Sequence, residues 1–246
     1  MAGPVALVGA GEFLPTMAEV DRELLAAIST RRPRVVILPT ASWPDGEETF
    51  RRWAAMGIAH FSSLGAEVEA VLIRDRRDAD DPANVQAVGE ADLVYLSGGH
   101  PDHLLKALAG SQVWAAVRVA NAAGAVLVGC SAGAMSLAGR QVNGLRRLAL
   151  PVRWEASLAV VPGCAVLPHY DRIPEAVAAL VALQAPRGIT VVGIDEDTAL
   201  VGRDGAWWVR GHGRVTVWHG RRRTRYRAHD AVRLAAHPDA TAAAAD

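Results

Sequence analysis

Apolar residues fall in short unbroken runs separated by glycine, proline and polar stretches. Val5–Val8, Val35–Leu38, Val68–Ile73, Leu93–Leu96 and Ala125–Val128 are β-branched or aliphatic in character and read as strands. They lack the polar alternation of a sheet with one wet face. Runs of this kind are buried on both sides, which predicts a parallel sheet covered by helices on each face. Segments between them have helical spacing. Met17–Ile28 sets Val20, Leu24, Leu25 and Ile28 on one face, Glu47–Leu64 makes a longer helix containing Gly57, and Val113–Ala122 makes another. Asp102 is placed to cap a helix through Leu104, Leu105 and Leu108. After Ser157 the pattern shifts to strand-like runs at Val191–Ile194, Ala199–Val201, Ala206–Arg210 and Arg214–His219, with glycine turns between them. The expected fold class is α/β: a mostly parallel, doubly wound sheet with flanking helices and a β-hairpin-rich C-terminal end extending the same sheet. One domain is expected over residues 1–236, with an alanine-rich tail, 237–246, that frays.

Composition narrows the function classes. The chain has 246 residues, 51% of them hydrophobic and 21% charged, too apolar for general disorder. Its 26 basic and 26 acidic residues cancel, so no overall charge draws it to nucleic acid or an anionic membrane. The arginine-rich run Arg221–Arg227 reads as a solvated hairpin strand. Two cysteines, Cys130 and Cys164, show no metal-binding spacing and read as small buried hydrophobes. The first residues have no basic start ahead of a long apolar run, and a cytoplasmic location is the expectation. Gly9-Ala10-Gly11 lacks the third glycine of a dinucleotide fingerprint, and no phosphate-binding loop of the G-x-x-x-x-G-K-[ST] type occurs.

The informative motif is Gly129-Cys130-Ser131-Ala132-Gly133, which fits G-x-S-x-G. It follows a buried strand and precedes a small-residue helix, the setting of a nucleophile elbow. The tight turn lifts the Ser131 hydroxyl above the strand end, and the Ala132 N–H points to the same place from the helix start. Ser97-Gly98-Gly99-His100 follows another strand, and in an open parallel sheet such ends gather where ligands bind. The Gly99 N–H is the natural second oxyanion donor, with Gly98 and His100 beside it. A serine nucleophile needs a base. Of eight histidines, His169 stands out because it follows Ala165–Leu167 and Pro168 at a further strand exit. His100 and His103 flank the Gly-Gly turn and could line the pocket.

GGH with its Leu-Leu helix, GCSAGAM, PHYDR and GIDEDTAL, in this order, resemble the cyanophycinase and α-aspartyl dipeptidase family of serine peptidases. The likeness runs from about Val5 to Val217. It implies a class I glutamine amidotransferase-like, flavodoxin-like fold, with Ser131 as nucleophile, His169 as base, and Gly99 and Ala132 as oxyanion donors. No metal and no organic cofactor are implied. The implied substrates are small peptides or amides carrying an acidic residue, with Arg172 a candidate to hold a substrate carboxylate. A homodimer is compatible with this reading. The resemblance also implies an orienting acid between serine and histidine, and Glu155 is the one carboxylate there. Glu12, Asp171, Asp195 and Glu196 are spatial alternatives. Leu167 and Pro168 stand where relatives have an Asp-Gln or Asp-Ser pair, so substrate specificity does not transfer. Two other readings compete. An α/β-hydrolase esterase would draw its histidine from His212 or His229, and a binding or regulatory protein on the same fold would not turn over at all.

Overall fold

A computed structural model of the chain describes residues 1–142 and 151–234. The tail expected to fray lies outside the described residues. The chain opens with β1 (Val5–Val8), α1 (Ala18–Ala26), β2 (Arg34–Leu38), α2 (Glu47–Ser63) and β3 (Glu67–Ala70). It continues through α3 (Arg76–Ala79), α4 (Pro82–Gly89), β4 (Leu93–Leu96), α5 (Pro101–Leu108), α6 (Gln112–Ala123), β5 (Val126–Cys130) and α7 (Ala132–Leu137). A short pair, β6 (Arg140–Val142) and β7 (Trp154–Ala156), precedes β8 (Cys164–Leu167), α8 (Glu175–Leu183) and β9 (Thr190–Ile194). The end is all strand: β10 (Thr198–Arg203), β11 (Ala206–Gly211), β12 (Arg214–His219), β13 (Arg222–Arg227) and β14 (Ala231–Val232).

The large sheet has the order β14-β11-β10-β1-β5-β4-β2-β3. Its β1, β5, β4, β2 and β3 are mutually parallel, and β10, β11 and β14 continue it antiparallel. The unbroken apolar runs thus have the expected cause: successive residues serve two cores. On β4, Leu93 and Tyr95 face α1 and α2, whereas Val94 and Leu96 face the layer holding α5, α6 and α7. β3, at the edge, ends at Ala70 and alternates in exposure, shorter than its apolar run suggested.

One expectation needs correction. The C-terminal hairpins do not all extend this sheet. β12 and β13 join β9 and β8 in a separate four-stranded sheet of order β13-β12-β9-β8. The reason is pairing: β8 and β9 run parallel, and β12 adds antiparallel to the free edge of β9. One face of this smaller sheet (Val166, Val192, Val215, Val217) shares the core of the large sheet, and its other face (Leu167, Val191, Trp218) is covered by α8. The arginine-rich run forms β13, largely exposed as expected, with Arg223 and Arg225 paired to Glu175. Among the described residues no helix is long and apolar enough to cross a membrane.

Candidate active site

Parallel strands bring their C-terminal ends to one edge. Val8 pairs with Cys130 and Leu96 with Gly129, so the turns after β1, β4 and β5 adjoin. The small sheet adds the exits of β8 and β9, where Leu167 pairs with Gly193.

Ser131 sits between β5 and α7 with φ 50° and ψ −109°, a conformation non-glycine residues rarely adopt. The bend aims its hydroxyl out of the sheet. It also brings α7 hard against β4: a Cβ on Gly133 would lie 2.3 Å from the Leu96 carbonyl oxygen, so only glycine fits there. Cys130, one residue earlier, points the other way into the core. Burial and the adjacent Glu12 carboxylate push its thiol well above its usual pKa. Burial likewise pushes Cys164 up to about 12. Neither thiol is therefore expected to react with iodoacetamide in the folded protein at neutral pH, and both should react once it is unfolded. Mass spectrometry before and after denaturation checks this.

The Ser131 Oγ lies 3.0 Å from His169 Nε2. His169 follows β8 in the left-handed region, with φ 50° and ψ 40°, which turns its ring back toward the β5 exit. Its Nδ1 is 2.7 Å from Glu196 Oε1. A carboxylate can only accept, so Nδ1 carries the proton and Nε2 presents its lone pair to the Ser131 hydroxyl. The turn after β8 grips Glu196 at two further points. Arg172 pairs with Oε2 at 2.7 Å, and the Glu196 N–H donates to Asp171 Oδ1 at 2.9 Å. A hydroxyl, an imidazole and a carboxylate in series can remove a proton from the hydroxyl and hold the resulting imidazolium.

Several expected assignments change here. Glu155 is not on the His169 ring. It lies on β7 opposite Gln141, and the acid on Nδ1 is Glu196, beyond the histidine rather than before it. The physical reason is adjacency of two parallel strands: the exits of β8 and β9 lie side by side. Of the other acids, Asp171 supports Glu196, Asp195 accepts from the Arg214 N–H, and Glu12 is buried below the elbow. Arg172 lines the cavity, but its charge is matched by Glu196 rather than left for a substrate. The Gly98 N–H donates to Glu12 Oε1 at 2.8 Å and is not open to an oxyanion. The N–H groups of Gly99 and Ala132 have no partner among the described residues, and both residues line the cavity at Ser131. Gly99 has φ 138°, and a Cβ there would meet the Ala41 carbonyl oxygen at 2.3 Å. His100 also lines the cavity, with Nε2 2.8 Å from Asp45. It is the residue ahead of α5, and Asp102 lies inside the helix, bonded to Gln141, instead of capping it. His103 faces away and bonds the Arg74 carbonyl. His212 lines a different cavity with Asp195 and Arg214, which removes the basis for an esterase built on it.

Comparison with known proteins identifies the family and the fold. The pattern of peptidase family S51 matches residues 5–208. The crystal structure of a peptidase from an acI-B1 actinobacterium is similar with a TM-score of 0.85 at 30% identity, covering 95% of this chain and 98% of that one. A protein of Listeria monocytogenes EGD-e assigned to peptidase E shares the fold, with a TM-score of 0.64 at 20% identity, covering 87% of this chain and all of that one. No curated protein matches the sequence. With the family pattern covering every strand from β1 to β10 and the first half of β11, the chain belongs to peptidase family S51, whose activity is peptide hydrolysis.

Proposed function

We propose that the protein is a serine peptidase of small peptides or amides, with Ser131 as nucleophile, His169 as general base and Glu196 as the acid that orients it. One observation carries this: the hydrogen-bonded series from Ser131 Oγ to His169 at 3.0 Å and from His169 to Glu196 at 2.7 Å. As Ser131 Oγ bonds to the substrate carbonyl carbon, its proton passes to His169 Nε2 and the carbonyl π pair moves onto oxygen. The Gly99 and Ala132 N–H groups receive that oxyanion. The C–N bond then breaks, and His169 delivers its proton to the leaving amine. Water attacks the acyl-enzyme by the same route, giving its proton to His169, and Ser131 leaves with it. Glu196 orients the ring throughout, its Oε2 paired with Arg172 and its backbone N–H bonded to Asp171.

The substrate is expected to be small because the cavity is. It has a volume of about 380 Å³ and is walled by Pro101, Met135, Val142, Pro168 and Ile173. A fluorophosphonate should label one residue, and the adduct should map to the peptide bearing Ser131. Labelling elsewhere, or none, together with no hydrolysis of a dipeptide panel, would favour the reading of a binding protein.

A further inference from the structure

Glu12 is buried below the elbow and has no part in the hydrolytic relay, yet its side chain touches both turns that present oxyanion donors. Its Oε1 accepts from the Gly98 N–H at 2.8 Å, and its Oε2 accepts from the Cys130 thiol at 2.9 Å. Gly98 immediately precedes Gly99, and Cys130 stands just ahead of Ser131 and Ala132. The ladder between β4 and β5 ends at the rung of Leu96 and Gly129. Beyond that rung one carboxyl group joins the two turns. The fit is close: a Cβ on Gly98 would lie 2.6 Å from Glu12 Oε1 and 3.3 Å from the Ser131 Cβ.

The backbone around the donors is held on every side. After β4, the Ser97 N–H donates to the Leu38 carbonyl at 3.2 Å, the Gly98 N–H to Glu12, and the His100 N–H to the Ala41 carbonyl at 2.7 Å. Between them the Gly99 N–H has no partner among the described residues. After β5, the Ser131 N–H donates to the Val8 carbonyl at 2.9 Å, ahead of the unpartnered Ala132 N–H. An oxyanion needs both free donors within about 2.7–3.1 Å of one oxygen. Two successive glycines impose little conformational preference of their own, so the place of the Gly99 N–H depends on what grips the turn.

From this arrangement we infer that Glu12 is a positioning residue for the oxyanion hole: its carboxyl bridges the turns after β4 and β5 and so fixes the Gly99 N–H relative to the Ala132 N–H. The inference rests on the serine peptidase reading and adds to it a residue that touches neither substrate nor reacting atoms. A carboxyl suits the place because each of its oxygens can take one of the two donors.

The test compares Glu12→Ala and Glu12→Gln with the native protein, once a cooperative thermal melt shows that each is folded. Glu12→Ala is expected to lower kcat on a dipeptide substrate by about a hundredfold, the loss of one oxyanion donor, with KM nearly unchanged. Inactivation by a fluorophosphonate should slow by about the same factor, because the phosphonyl oxygen uses the same two N–H groups. Glu12→Gln keeps an oxygen for the Gly98 N–H and should recover activity to within about tenfold of native. Native rates in Glu12→Ala, equal losses in the two variants, or a rise in KM that matches the fall in kcat, the mark of general loosening, would each overturn the inference. If Glu12→Ala does not fold, hydrogen exchange at the Gly98 amide of the native protein and of Glu12→Gln decides. Exchange as fast as that of an unbonded loop amide overturns the bridge, and protection in both supports it. Failure of the serine reading looks different. A native protein that neither takes the label nor hydrolyses any dipeptide removes that reading and this inference with it. An active native protein with an equally active Glu12→Ala removes this inference alone.

Discussion

Ser131→Ala is expected to lower turnover of a good dipeptide substrate by about a million-fold, the loss seen when a serine nucleophile is removed. Only the first bond-forming step needs the hydroxyl. The His169–Glu196 pair and the Gly99 and Ala132 N–H groups remain, so a small residual rate above water is expected. Stability should hardly change. Among the described residues the Ser131 Oγ makes one hydrogen bond, to His169, and alanine meets the same backbone conformation that serine already tolerates. Steady-state kinetics beside a thermal melt checks both halves. A variant retaining a tenth of native activity would remove Ser131 from the chemistry.

Glu196→Gln is expected to cost about ten-thousand-fold in kcat with a small effect on KM. The carboxamide can turn its NH2 toward His169 Nδ1 and favour the other tautomer. Nε2 would then carry a proton, face the Ser131 hydroxyl as a donor and be unable to take the proton it must accept. Arg172 would lose its ion pair at the same time. Glu155→Gln is the control, because it leaves Glu196 on the ring. An equal or larger loss in Glu155→Gln, with Glu196→Gln near native, would return the orienting role to Glu155.

The parallel strands and the elbow were legible because they depend on local pattern. An apolar run with no alternation means two covered faces, and a glycine on either side of Cys130-Ser131-Ala132 means a tight bend. Partners were less legible. Nothing in Arg214–His219 says that its neighbour is β9 rather than β10, because pairing of β12 depends on which edge the fold leaves free. That Glu196 stood unranked among four alternatives to Glu155 has a similar origin. His169 was singled out as a polar residue just past a buried strand, and that same criterion, applied to Val191–Ile194, picks out Asp195 and Glu196. Only the register of β8 on β9, with Leu167 beside Gly193, tells that the two exits adjoin. Helices α3, α4 and α8 went unassigned. The first is a single turn capped by Asp75, and α8 is alanine- and valine-rich with a weak polar face.

The hydroxyl stands on the end of one sheet, and the imidazole and carboxylate stand on the ends of another. No single layer holds the whole relay, and what keeps its parts in line is the shared packing between Leu7, Leu127, Val166 and Val192. Shear of about half an ångström between these layers would stretch the 3.0 Å link beyond good hydrogen-bond range, while each sheet kept its own ladder intact. The link from Ser131 to His169 is thus a gauge of alignment between two sheets that share one core.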